Sequence, residues 1–216
     1  MLLAFDTASP TVTVALHDGN EVTVELTSDQ AMRHGEQLAP LIERALAQGG
    51  VAPGDLTAIA VGAGPGPFTG LRVGLVTART LGHVLGIPVH GVCSLDVLAA
   101  EAIANGMATG AVEGPFLVAT DARRKEVYLA SYDERGRRVE GPVVDRPAAV
   151  ASDLPVVGEG GALYPDAFPG ARPPLRPSAG FLARAVAGWL VELLDPEPLY
   201  LRRPDAEIPR SPKPVS

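Results

Sequence analysis

Phe116-Leu117-Val118-Ala119-Thr120-Asp121 is a short apolar run closed by a carboxylate, and it restates Leu2-Leu3-Ala4-Phe5-Asp6 at an offset of 115 residues. Apolar runs of this length read as buried strands. The segments directly after the two runs also match. After Asp6, Thr11 to Leu16 alternates as Thr-Val-Thr-Val-Ala-Leu, Asp18-Gly19-Asn20 supplies turn chemistry, and Glu21 to Leu26 alternates again. After Asp121, Glu126 to Tyr132 alternates and meets a turn at Asp133-Glu134-Arg135-Gly136. The same shift lays Val12 on Val127, Val14 on Leu129, Ala15 on Ala130 and Asp18 on Asp133. A strand and hairpin recurring at one offset predict a duplicated β-β-β-α unit. The expected organisation is α/β, with one lobe over 1–106 and a reduced second lobe over 115–195. Prolines at 196, 198, 204, 209, 212 and 214 make 196–216 an extended tail.

Between the two strand groups the period changes from two to 3.6. Leu38, Leu41, Ile42, Ala45 and Leu46 share one face of a helix expected over 34–48, which Gly49-Gly50 ends. Leu56 to Val61 is a strand, Gly62 to Pro67 a stiff loop, and helices are expected over 70–85 and 94–105 around a short strand at 87–90. In the second half, Leu154 to Val157 is a strand, and the long helical pattern is 178–194.

Composition narrows the function. The 216 residues are 46% hydrophobic and 20% charged with a net charge of −7, enough chain for a sizeable core. No apolar run reaches the roughly 18 residues of a spanning helix. The first residues lack a basic leader pattern, and a single cysteine leaves no internal disulfide, so a cytoplasmic location is the expectation. The acidic balance argues against a protein that grips nucleic acid alone, and 5% aromatics against a base-stacking platform.

Four features invite a chemical reading. The loop Gly62-Ala63-Gly64-Pro65-Gly66-Pro67-Phe68-Thr69-Gly70 fits neither glycine-rich phosphate motif, and Pro65 and Pro67 remove donors an anion would need, so a rigid strand-to-helix turn is preferred. His17, His34, His83 and His90 lack metal-ligand spacing, and Cys93 reads as a small buried thiol. Asp6 and Asp121 either cap the turns after their strands or face each other across a central cleft. Arg123-Arg124-Lys125 places three cations on a hairpin tip, as a solvated turn or as a dock for an acidic partner or RNA.

Phe5-Asp6-Thr7-Ala8, His34-Gly35-Glu36-Gln37-Leu38, Gly64-Pro65-Gly66-Pro67-Phe68-Thr69-Gly70-Leu71-Arg72, Asp121-Ala122-Arg123-Arg124 and Pro198-Leu199-Tyr200-Leu201-Arg202 occur in this order. Together they resemble the TsaB family of the bacterial tRNA threonylcarbamoyladenosine machinery. That resemblance implies an actin-like, sugar-kinase-like ATPase fold (ribonuclease H-like) of two duplicated lobes. It implies a non-catalytic subunit that binds and activates a TsaD-type catalytic subunit together with a TsaE-type ATPase, and meets tRNA through that complex. The TsaD-type His-x-x-x-His metal pair has no counterpart after His90, where the chain continues as Gly91-Val92-Cys93-Ser94-Leu95. No metal is therefore expected, nor any cofactor beyond a weak or shared nucleotide at the complex interface. Asp6, Thr7 and Asp121 would mark a vestigial nucleotide cleft. A free-standing small-molecule kinase of the same fold and a glycoprotease-type peptidase are the alternatives.

The partner surface is expected on the first two helices. Gly70, Gly74, Ala78, Gly82 and Gly86 recur every four residues, and interior glycines weaken a helix by about 1 kcal/mol each, so close packing must justify them. Two coverings are open: the chain's own sheet, or a helix of another protein. The surface expected for a TsaD-type subunit, or for a second copy in a homodimer, comprises His34, Gln37, Leu38, Leu41, Leu71, Gly74, Leu75, Ala78 and Gly82.

Overall fold

The computed structural model describes residues 1–28, 33–109 and 114–202; the rest of the proline-rich tail lies outside them. In chain order the elements are β1 (Leu2–Asp6), β2 (Thr13–His17), β3 (Val22–Thr27), α1 (His34–Gly49), β4 (Ala58–Gly64), α2 (Phe68–Leu85), β5 (Val89–Cys93) and α3 (Ser94–Thr109). The second half contributes β6 (Phe116–Asp121), β7 (Val127–Tyr132), β8 (Arg138–Asp145), β9 (Val156–Val157), α4 (Glu159–Leu163), β10 (Ala171–Arg172) and α5 (Ala179–Ala187).

The two sheets share one plan. The first runs β3-β2-β1-β4-β5, and the second, read from its other edge, runs β8-β7-β6-β9-β10. In both, the Asp-ended strand is central, antiparallel to the hairpin strand after it and parallel to the next strand. Asp6 pairs with Thr13 but Asp121 with Val127, so the second turn is one residue shorter and the offset falls from 115 to 114 on the return strand. The uniform shift that laid Val14 on Leu129 is therefore off by one on that strand; Val14 corresponds to Tyr128.

Alternation along β1 explains the layers. Leu3 and Phe5 face a core closed by Leu38, Leu41 and Ile42 of α1 and Leu71, Leu75 and Ala78 of α2. Ala4, pointing the other way, packs with Ala60 and Val92 against Val97 of α3 and Leu182, Ala183 and Val186 of α5. α3 also buries Leu95, Leu98, Ala99 and Ala102 with Phe116, Val118 and Tyr132 of the second sheet. It is apolar on both sides because it lies between the sheets.

Three expectations need correction. The helix foreseen over 178–194 stops at Ala187, where Gly188 caps it and Trp189 turns the chain with φ +54°. The released segment pairs Leu194 with Gly91 of β5. α5 itself returns to the first sheet: Glu25 of β3 accepts Ser178 Oγ at 2.6 Å and Gly180 N at 3.0 Å, and Thr13 Oγ1 accepts Ala179 N. β8 was not foreseen. It is an edge strand carrying Gly141 and Pro142 with mostly exposed side chains, so its sequence lacks a buried alternation.

Candidate functional site

The motifs at 64–72 and 198–202, remote in sequence, meet in space. Phe68, in the first turn of α2, stacks on Tyr200 with ring centroids 5.1 Å apart. Arg72, one turn on, lies 3.7 Å over the Phe68 ring and donates from Nε to the Tyr200 hydroxyl at 2.9 Å. Leu199 N donates to Ala63 O at 2.9 Å. Arg202 then reaches the second lobe, donating to Ala122 O at 2.8 Å and pairing with Glu126. Residues 198–202 thus strap one lobe to the other beside the cleft between them. Tyr128 adds a longer bond from its hydroxyl to Gly66 O at 3.4 Å.

That cleft, about 390 Å³, is lined by Ser9, Pro65, Pro67, Asp121, Arg123, Glu159 and Arg176 among others. Its wall includes Gly158-Glu159-Gly160-Gly161, which sequence reading passed over; the signal was a glycine cluster directly after the apolar pair Val156-Val157. Asp121 is at this cleft, its carboxylate accepting Arg123 N at 2.8 Å and pairing with the Arg123 guanidinium.

Asp6 and Thr7 are not, and that half of the nucleotide-cleft expectation is corrected. Asp6 is 1% exposed, and its carboxylate accepts Ala8 N at 2.6 Å and Ser94 Oγ at 2.7 Å. Burial pushes its pKa up, while the Ser94 and Ala8 bonds and nearby His34 pull it back. Thr7, fully buried, donates to Gly70 O at 2.8 Å. Both side chains tie β1 to its neighbours and present nothing to a ligand. Among the described residues no three His, Cys, Asp or Glu side chains cluster as metal ligands.

The residues expected at the partner surface also face inward. Leu38, Leu41, Leu71, Leu75 and Ala78 are core residues, from 0% to 4% exposed. A Cβ on Gly74 would overlap Thr7 Oγ1, and one on Gly82 the Val89 side chain. The four-residue stripe therefore seats α2 on its own sheet, and no groove opens outward. His34 is buried too, donating from Nε2 to Ser9 O at 2.8 Å. Gln37 is half-buried, with side-chain amide atoms that meet no partner among the described residues. What α2 does present to solvent is its other side, with Val76 62% and Val84 72% exposed and Arg72, Arg79, Thr80 and His83 around them.

Buried ionisable groups elsewhere serve packing. Cys93 sits at the end of β5, its thiol pushed up to about 12 by burial and then by Asp96, so it is not a nucleophile at neutral pH. Asp96 accepts the Tyr132 hydroxyl at 2.7 Å and pairs with Arg138 at 3.2 Å. Glu101 on α3 is pushed up to about 7, first by burial and then by Glu25. Its proton is held more tightly in the folded chain than in the unfolded one, so stability falls as pH rises from about 4.5 through 7. Glu101→Gln should match wild type at pH 5 and exceed it at pH 8 by about 1 kcal/mol, a figure reduced from the full shift because the group is partly exposed. Urea denaturation at the two pH values measures this.

No described helix is long and apolar enough to cross a membrane. Comparison with known proteins gives consistent matches. The family model for TsaD, tRNA N6-adenosine threonylcarbamoyltransferase, matches residues 25–163. An uncharacterized protein of Mycobacterium tuberculosis is 45% identical, over 95% of this chain and 93% of that protein. The tRNA threonylcarbamoyladenosine biosynthesis protein TsaB of Escherichia coli is 33% identical, over 76% of this chain and 74% of its own length. The solved structure of YeaZ from Pseudomonas aeruginosa superposes with a TM-score of 0.74 at 31% identity, covering 93% of this chain and 99% of that one.

Proposed function

The chain belongs to the TsaB family of tRNA threonylcarbamoyladenosine biosynthesis proteins, and on that premise we propose that it is a non-catalytic subunit that binds and activates a TsaD-type catalytic subunit. A TsaE-type ATPase completes the assembly, which transfers threonylcarbamoyl to the adenosine beside the anticodon. The chain holds its partner and supplies no reacting group. Its central carboxylate, Asp6, is consumed by internal hydrogen bonds, and its thiol is buried and protonated.

One observation carries the partner role. The solvent side of α2 exposes valines at positions 76 and 84, on one line with Thr80 between them. Positions four apart on a helix are neighbours, so the three side chains form a continuous stripe a partner helix can cover. This moves the interface to the opposite side of α2 from the glycine stripe. Arg72, Arg79 and His83 flank it, giving a polar rim of the kind interfaces carry. A second copy of the chain would use the same stripe when the catalytic subunit is absent.

Reconstitution tests the function: tRNA modification by TsaD-type and TsaE-type proteins, with and without this chain. Formation of the modified nucleoside should fall at least 100-fold without it, and equal rates would overturn the proposal. The interface is tested by Val76→Glu/Val84→Glu, which places two carboxylates on the stripe. Binding to the TsaD-type subunit should weaken more than 10-fold by calorimetry, with the melting temperature unchanged because both positions are exposed. Wild-type affinity in the folded variant would remove α2 from the interface.

A further inference from the structure

The turn between β6 and β7 puts three cations where the backbone favours other residues. Arg123, Arg124 and Lys125 have φ of 60°, 56° and 61°, the left-handed region that side-chain-bearing L residues avoid. Glu126 N donates to Arg123 O at 3.0 Å, closing a turn with Arg124 and Lys125 at its centre. Positive φ at both central positions is the hairpin turn in which Asn-Gly is preferred. The local structure asks for Asn-Gly and the chain carries Arg-Lys.

Other cations gather at the same place. Arg202 reaches the base of the hairpin at Ala122, and Arg176 lines the cleft together with Arg123. The carboxylates here are Asp121, Glu126 and Glu159, and each pairs with an arginine. Five cations against three carboxylates make a positive patch on a chain of net charge −7. No large apolar side chain is exposed between residues 121 and 127. Protein interfaces centre on apolar or aromatic anchors, whereas phosphate contacts need only charge and donors. A convex, cationic tip without an apolar anchor fits a phosphate backbone better than an acidic protein.

We propose that the Arg123-Arg124-Lys125 turn contacts the phosphate backbone of the tRNA substrate. The inference rests on the function proposed above. It is distinct from the α2 interface, because the turn belongs to the second lobe.

The test replaces Arg124 and Lys125 with the residues the turn prefers. Arg124→Asn/Lys125→Gly should raise or preserve the melting temperature while removing two charges. An unmodified transcript of an ANN-decoding tRNA is titrated against the isolated chain and against its complex with a TsaD-type subunit, from 50 to 200 mM salt. The variant should bind about 10-fold more weakly near 100 mM salt, and the slope of log affinity against log salt should be shallower by about 2. Lys125→Gly alone should change the slope by about 1. Unchanged tRNA affinity and slope in the folded double variant would overturn the proposal. So would weaker binding of the TsaE-type subunit with tRNA binding intact, which would make the turn a protein dock. Absence of tRNA binding by both wild-type forms would also overturn it; calorimetry of the wild-type complex then shows whether the partner function stands independently.

Discussion

Ala78→Trp is expected to abolish stable folding. Ala78 is 0% exposed and lies in the core that α2 shares with the first sheet, beside Leu71, Leu75 and Phe5. A helix can sit this low only because residues 74, 78 and 82 carry little or no side chain, and the glycines on either side of Ala78 already touch Thr7 and Val89. An indole here needs space that a close-packed interior lacks. Even modest overpacking costs about 1–3 kcal/mol, and a side chain this large should exceed that range. For a chain of this size each kcal/mol lowers the melting temperature by about 2–4 °C, so a soluble product should melt at least about 10 °C below wild type. Val84→Trp, on the exposed side of the same helix, should leave the melting temperature within about 2 °C. A well-folded Ala78→Trp protein with a normal melt would mean that the stripe faces solvent after all.

Gly62→Ala should be nearly as damaging for one added methyl group. Gly62 lies on β4 beside the end of β1, and a Cβ there would overlap the Asp6 carboxylate and come within 2.9 Å of Ser94 Oγ. Asp6 cannot swing aside, since it is buried and bonded to Ala8 and Ser94. The substitution must displace the carboxylate and break at least one of those bonds. Leaving a buried charged-group hydrogen bond unmade costs about 1.5–3 kcal/mol, and the steric shift adds about 1–3 kcal/mol. The combined loss should be about 3–5 kcal/mol, read as a lower denaturation midpoint at unchanged slope. Gly35→Ala is the contrast. Its Cβ would stand 3.9 Å from Val73, an ordinary contact, in the first turn of α1, so it should stabilise by up to about 1 kcal/mol. Similar midpoints for the two variants would show that Asp6 is not held as described.

Much of the first lobe was legible because its patterns report burial directly. Alternation in β2 and the apolar face of α1 each predict an element and its buried side, and Leu38, Leu41, Ile42 and Ala45 are buried as that face requires. The duplication was legible from the Asp-ended strands, since each central strand must be apolar and then meet a turn. The chain's own residues also dictated the left-handed caps at Gly50 and Gly86 and the absence of a second cysteine. Periodicity does not say what covers a face. The small-residue stripe on α2 demanded close packing, but whether a sheet or another protein supplied it depended on where β1 and β5 lie, and they place Thr7 and Val89 under it. The end of α5 and its return to the first sheet turn on a backbone reversal at Gly188-Trp189 and on Glu25, more than 150 residues away. The meeting of Phe68 and Arg72 with Tyr200 is likewise a contact between distant segments. Local sequence sets which surfaces must be buried, because water excludes apolar side chains wherever they occur; which surfaces meet is decided only when the whole chain has folded.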